Sequence, residues 1–158
     1  MTTEVSSMAT GLAGASVGRR TGQYLLAIDW LSEDADRVAP GELAARLGVS
    51  GASVTEMSSK LEDAGLVTVK KYTGVKLTDK GSEVARELAW RLCVVENFFE
   101  AELSADLDDE QSYEIGYTLP PEAIKRLRDL VDHPCIDRCP QTRQDYDGVA
   151  SRSGFVRT

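Results

Sequence analysis

Soft metal donors are scarce in this chain, which carries one histidine and three cysteines among 158 residues. A single His excludes a His-rich zinc centre within one chain. Three cysteines, with no sign of export, exclude a disulfide scaffold and leave metal binding, redox chemistry or inert burial. Long apolar runs are also missing. None approaches the ~18 to 20 residues that a membrane-spanning helix needs, so a membrane protein is not expected. The opening residues MTTEVSSMATGLAGASVGRR lack a basic region followed by an apolar stretch. No secretory signal is therefore expected, and a cytoplasmic location follows. No nucleophile–base–acid set, phosphate-cradling glycine loop or paired-acid motif is present, so an enzyme is not expected.

The formal net charge is −8, but it is unevenly spread. Residues 1–21 carry +1, 22–81 carry −2, 82–132 carry −8 and 133–158 carry +1. An acidic chain is ordinarily a poor prospect for nucleic-acid binding. The segment from Arg19 to Lys80 escapes that objection, because it is nearly neutral and its cations cluster.

Four segments are expected. Residues 1–20 are a flexible tail, since the first 18 are small and polar with no apolar period. Within 21–81, Tyr24, Leu25, Ile28 and Leu31 recur at helical spacing beside Trp30. Pro40 opens a short helix carrying Leu43, Ala44 and Leu47. After Gly48-Val49, Ser50 or Gly51 caps a helix to about Ala64, with Val54, Met57 and Leu61 inside and Gly65 ending it. Leu66–Tyr72 and Val75–Thr78 read as strands of a hairpin turning at Thr73-Gly74. Residues 82–132 carry a long helix from Ser82 to Glu102, another from Leu107 to Tyr117, and a third from Pro120 to Val131. Residues 133–158 form a second tail containing Cys135-x-x-x-Cys139.

The fold class is mainly α with a small β-hairpin: an N-terminal winged helix-turn-helix followed by a helical dimerisation domain. The order has a physical logic for DNA. A short helix braces a second one that enters the major groove, and a hairpin rests on the neighbouring phosphates. On the second helix Ser50, Ser53, Thr55, Glu56 and Lys60 face outward. Thr55 and Glu56 suit base edges; Ser50, at the exposed helix N-terminus, suits a phosphate, and Ser53 and Lys60 suit the backbone. Lys70, Lys71 and Tyr72 arm the hairpin tip. Leu88, Trp90, Leu92, Val94, Val95, Phe98 and Phe99 are more apolar surface than one monomer helix needs to bury, which argues for a homodimer on an inverted-repeat operator. A winged-helix adaptor that binds protein is the alternative from another class.

Val49 to Gly81 resembles the N-terminal domain of the diphtheria toxin repressor family, the iron- and manganese-dependent repressors. The resemblance is closest to the manganese-responsive branch through Tyr72-Thr73-Gly74 and Leu77-Thr78-Asp79-Lys80-Gly81, and it extends more weakly to about Pro140. It implies a homodimeric transcriptional repressor of metal homeostasis, responding to iron or manganese. The family's ligand positions fall on Gln23, Leu92, Tyr113, Gly116 and Tyr117, with only an ancillary acid kept as Glu96; Glu114 is the nearest further acid. Leu and Gly cannot ligate a metal, so the usual site is absent. Cys93, His133, Cys135 and Cys139 are a replacement donor set suited to zinc or an iron–sulfur cluster. A redox- or cluster-sensing regulator on the same scaffold is the second reading.

Overall fold

A computed structural model describes residues 17–32 and 36–131. His133, Cys135 and Cys139 lie outside these residues, as do both tails except Val17 to Arg20. The described chain divides into two compact units, one from Val17 to Ala85 and one from Arg86 onward.

The first unit is built from α1 (Arg19–Leu31), α2 (Pro40–Leu47), α3 (Gly51–Asp63), β1 (Val67–Lys70), β2 (Gly74–Leu77) and the start of α4 (Asp79–Leu103). Helix α1 begins two residues before the Thr21 that periodicity indicated. Its centre is apolar nearly all round: Tyr24, Leu25, Leu26, Ala27 and Ile28 are buried, and so is Val17 ahead of it. Helix α1 packs on α2 and β2, while α3 packs on α2 and β1. Arg46 of α2 places its guanidinium 5.4 Å over the Trp30 ring, covering an indole that is only half-buried.

The hairpin is antiparallel, with Val67 opposite Leu77 and Lys70 opposite Gly74. Its turn is Lys71–Thr73, not the expected Thr73-Gly74, because Tyr72 adopts a left-handed conformation (φ 64°) and Gly74 starts β2. Gly74 has φ 121°, and a Cβ there would lie 2.1 Å from the Val38 carbonyl oxygen. The reason is a third piece of extended chain. Val38 and Val75 exchange backbone hydrogen bonds of 2.9 Å each way, so the loop before α2 extends the sheet.

The second unit contains the rest of α4, then α5 (Asp109–Thr118) and α6 (Pro121–Leu130). Helix α5 starts later than the apolar pattern suggests because Asp108 forms a capping box. Its carboxylate accepts from Gln111 N at 2.8 Å, and the Gln111 side chain accepts from Asp108 N at 3.1 Å. Trp90, Val94, Val95 and Ile124 form the core, flanked by Phe99, Leu107, Ile115, Leu119 and Leu127. This corrects one step of the dimer argument. Leu88, Trp90, Leu92, Val94 and Val95 are buried within a single chain, so their apolar surface does not by itself call for a second subunit.

Gly81 shows what the Leu-Thr-x-x-Gly motif is for. A Cβ at Gly81 would lie 2.0 Å from the Leu66 carbonyl oxygen, a backbone atom with no freedom to yield. Gly81→Ala should therefore destabilise the protein by about 2 kcal/mol or more in urea unfolding. A change within ~0.5 kcal/mol, the usual range for a surface substitution, would refute the tight junction.

Candidate nucleic-acid interface

Ser50 is the N-cap of α3. Its hydroxyl oxygen accepts from Ser53 N at 3.1 Å and its hydroxyl donates to Ser53 Oγ at 3.0 Å. The cap fixes the first turn, whose remaining N–H groups point into solvent where an anion would sit. Gly51, Ala52, Thr55, Glu56, Ser59 and Lys60 are exposed, and Ser53 is half-buried. Val54 and Leu61 anchor the inner face, joined by Ser58, which the apolar pattern does not reveal. The Thr55 hydroxyl donates back to Gly51 O at 3.0 Å, so part of its hydrogen-bonding capacity is already used within the helix. Lys60 Nζ donates to Glu56 Oε1 at 2.9 Å. That hydrogen bond, and then the lysine charge, hold the Glu56 carboxyl below the ordinary carboxylate range.

The wing presents Lys70, Lys71 and Tyr72, all exposed, with Tyr72 94% accessible. Lys71 Nζ lies 5.2 Å from the centre of the Tyr72 ring. Beneath them is a clamp that sequence reasoning missed. Arg37 Nη1 donates to the carbonyls of Thr68 (3.1 Å) and Gly74 (3.2 Å), and Nη2 donates to Thr68 Oγ1 at 3.3 Å. One guanidinium thus spans both strands. The only sequence sign was an isolated Arg one residue before the strand-like Val38. A second tie runs from α3: Glu62 Oε2 accepts from Val69 N at 2.7 Å. Lys76 pairs with Asp36, whose carboxyl is held low by that hydrogen bond and charge. All eight residues expected to meet DNA therefore lie in one compact unit: Ser50, Ser53, Thr55 and Glu56 at the N-cap and along the first half of α3, Lys60 in its last turn, Lys70 at the end of β1, and Lys71 and Tyr72 in the turn.

The positions that the resemblance assigns to metal ligands look different. Leu92 is fully buried, and Tyr113 is buried with its ring stacked on Tyr117 at 5.7 Å and 18°. Gly116 is so close to α4 that a Cβ would already touch Arg91 and Leu92 at 3.4 Å. Gln23 and Glu114 are half-buried. Cys93 of the replacement set and Glu96, the retained ancillary acid, are buried one turn apart on α4; Asn97 Nδ2 donates to Cys93 O at 2.7 Å and lies 3.6 Å from its Sγ. Among the described residues no group of three or more His, Cys, Asp or Glu side chains is placed to hold a metal ion. The residues at the family's ligand positions do not fit a metal.

Fold and surface together define a winged helix-turn-helix DNA-binding protein. A family profile described as the iron-dependent repressor N-terminal DNA-binding domain matches residues 16–75. The HTH-type transcriptional regulators MntR of Shouchella clausii and Bacillus subtilis are each 30% identical over 114 residues, covering 70% of this chain and 78% of theirs. Among solved structures, the manganese regulator SloR superposes with a TM-score of 0.61 at 27% identity, over 72% of this chain and 54% of SloR. The metal-dependent regulator MtsR, at 24% identity and a TM-score of 0.65, shows the same fold over 72% of this chain and 54% of its own. The present chain thus spans about half the length of these two solved regulators. The chain belongs to the iron- and manganese-dependent repressor family. Its members are transcriptional regulators, not enzymes, which removes support from the adaptor reading.

If Arg37 holds the wing, Arg37→Ala should speed amide exchange at Val69 and Val75 while lowering global stability by only about 1 to 3 kcal/mol, the net worth of two or three hydrogen bonds. Unchanged exchange in the hairpin would show that the Val38–Val75 pairing suffices without it.

Proposed function

We propose that this protein is a homodimeric, cytoplasmic repressor of the metal-dependent type, binding an inverted-repeat operator to control iron or manganese homeostasis. The observation that carries the reading is the capped, small-residue start of α3 in the same unit as a cationic wing tip. Two such units on a dimer would read two half-sites, which supplies the specificity that one winged helix lacks. In this reading Thr55 and Glu56 meet base edges. Glu56 must exchange Lys60 for a base amino group, at small cost because both side chains are well exposed, at 70% and 64%. Ser50, Ser53 and Lys60 hold backbone phosphates of one strand, and Lys70, Lys71 and Tyr72 hold the flanking backbone.

The regulatory metal in this reading is soft or borderline, taken by Cys93 and Glu96 of α4 with His133, Cys135 and Cys139. Thiolates favour zinc over manganese, and relatives in the family include a solved ScaR with bound zinc and one with manganese as its activator. The cluster- and redox-sensing readings have no structural observation in their favour.

Anisotropy titration against duplexes selected from genomic fragments tests the DNA reading. A dimer should bind its selected duplex well above random DNA, and no preference would sink it. Lys70→Ala should weaken all sequences alike and reduce the salt slope by about one unit, whereas Thr55 and Glu56 variants should change base preference. Elemental analysis tests the donors. Cys93→Ser, Cys135→Ser and Cys139→Ser should each remove bound zinc without unfolding the winged helix; zinc retained in all three would dismiss the cysteine set.

A further inference from the structure

Helices α4 and α5 meet around a buried cation that is already part of the chain. Arg91 is 2% exposed and donates through Nη1 to the carbonyl oxygens of Leu119 (2.7 Å) and Gly116 (3.1 Å). Those carbonyls belong to the last turn and C-cap of α5, where the helix leaves oxygen atoms unsatisfied and favours positive charge. Glu87, one turn earlier on α4, lies 3.6 Å from Arg91 Nε and balances the charge. The neighbours complete the layer. Leu92 is fully buried, the Tyr113 and Tyr117 rings stack, and Gly116 lets the α5 backbone approach α4 to contact distance. Leu92, Gly116 and the tyrosine pair are packing solutions, and the carboxylate beside Arg91, that of Glu87, is already engaged by the guanidinium.

We infer that Arg91 is the resident cation of this layer, holding the C-terminal end of α5 on α4 without a metal, so that manganese neither binds there nor sets operator affinity. The inference deepens the repressor reading by removing manganese from the signals this regulator answers to. A metal between two helices contributes by pulling negative or polar groups together. Here a guanidinium bonded to two helix-terminal carbonyls does that work, and it cannot dissociate.

The first test needs no DNA. Equilibrium dialysis of the full chain against manganous ion should show substoichiometric uptake up to ~100 μM, and the melting temperature should not rise with manganese. One equivalent bound in that range overturns the inference whatever the fate of the DNA reading. The second test uses the selected duplex: its Kd should agree within about twofold in EDTA and in manganese, and tenfold tighter binding with manganese overturns the inference. The third concerns Arg91 itself. In Arg91→Met, amide exchange at Gly116–Leu119 should accelerate at least tenfold while amides of Val54, Leu61 and Val75 keep their protection. If that variant does not fold, Arg91→Lys, which keeps the charge but not the fork, should show the same loss at Gly116–Leu119 to a smaller degree. Wild-type protection at Gly116–Leu119 in either variant removes Arg91 from the role.

Discussion

The peptide of Leu66 is the point on which the DNA-reading unit hangs. Its N–H donates to Leu61 O at 2.9 Å and so closes the recognition helix. Its carbonyl accepts from Thr78 N at 3.0 Å, where the hairpin returns, and faces Gly81 across a gap that no side chain could share. Thr78 fastens the rest: its hydroxyl donates to Gly65 O at 2.7 Å and accepts from Gly81 N at 3.1 Å, capping the long helix. One dipeptide between helix and strand therefore ties α3, both ends of the hairpin and the start of α4 into one rigid unit. Base-reading and phosphate-holding side chains then keep a fixed spacing, which is what reading a sequence requires.

Electrostatics within that unit are local. At physiological salt a charge is largely screened beyond about 8 Å, so local charge governs DNA binding more than the net −8 of the chain does. What matters is how the nearby cations are employed. Lys60 is paired with Glu56 and Lys76 with Asp36, while Lys70 and Lys71 make no ion pair among the described residues. Lys80 donates to the Ala64 carbonyl at 3.3 Å, which leaves Lys70, at the end of β1, and Lys71, in the turn, as the exposed lysines of the wing. Releasing Lys60 also releases Glu56, so the α3 face can offer a donor and an acceptor together or keep both satisfied. A surface pair of this kind is weak, so exchange for a base or a phosphate costs little.

Most of the architecture was legible from period and punctuation. The 3.6-residue recurrence in α1, α3 and α4 and the alternation around Gly74 are local properties, and local properties survive into the fold. What escaped was long-range. Val38 reads as an isolated apolar residue, yet it pairs with Val75, and only the tertiary fold brings them together. Arg37 reads as surface charge and is a clamp across the strands. The turn slipped to Lys71–Thr73 because close approach of the Val38 backbone, not the turn itself, demands glycine at position 74. The surplus of apolar residues on α4 suggested a second subunit, but α5 and α6 supply Ile115, Leu119, Ile124 and Leu127 to bury it. Composition counts apolar groups and cannot say which neighbour covers them.

The sensor positions carry a different lesson about what replaces a ligand. A buried set of carboxylates and imidazoles is costly without its metal, since like charges must share a low-dielectric space. A layer built that way is unstable when empty, and its instability is what couples metal to shape. Leucine, glycine and a stacked tyrosine pair reverse the balance: the layer is stable as it stands, and Arg91 satisfies the helix-terminal carbonyls that would otherwise be orphaned. Burial lowers the pKa of Arg91 from its ordinary value, with Glu87 opposing, but an arginine retains its proton throughout the physiological range. Its hold on α5 is therefore constant where a bound ion's hold varies with concentration. A chain that fixes this layer has to take any variable signal elsewhere. Among the buried residues of α4, those with donor atoms suited to that are Cys93, whose sulfur prefers a softer ion, and Glu96 one turn on.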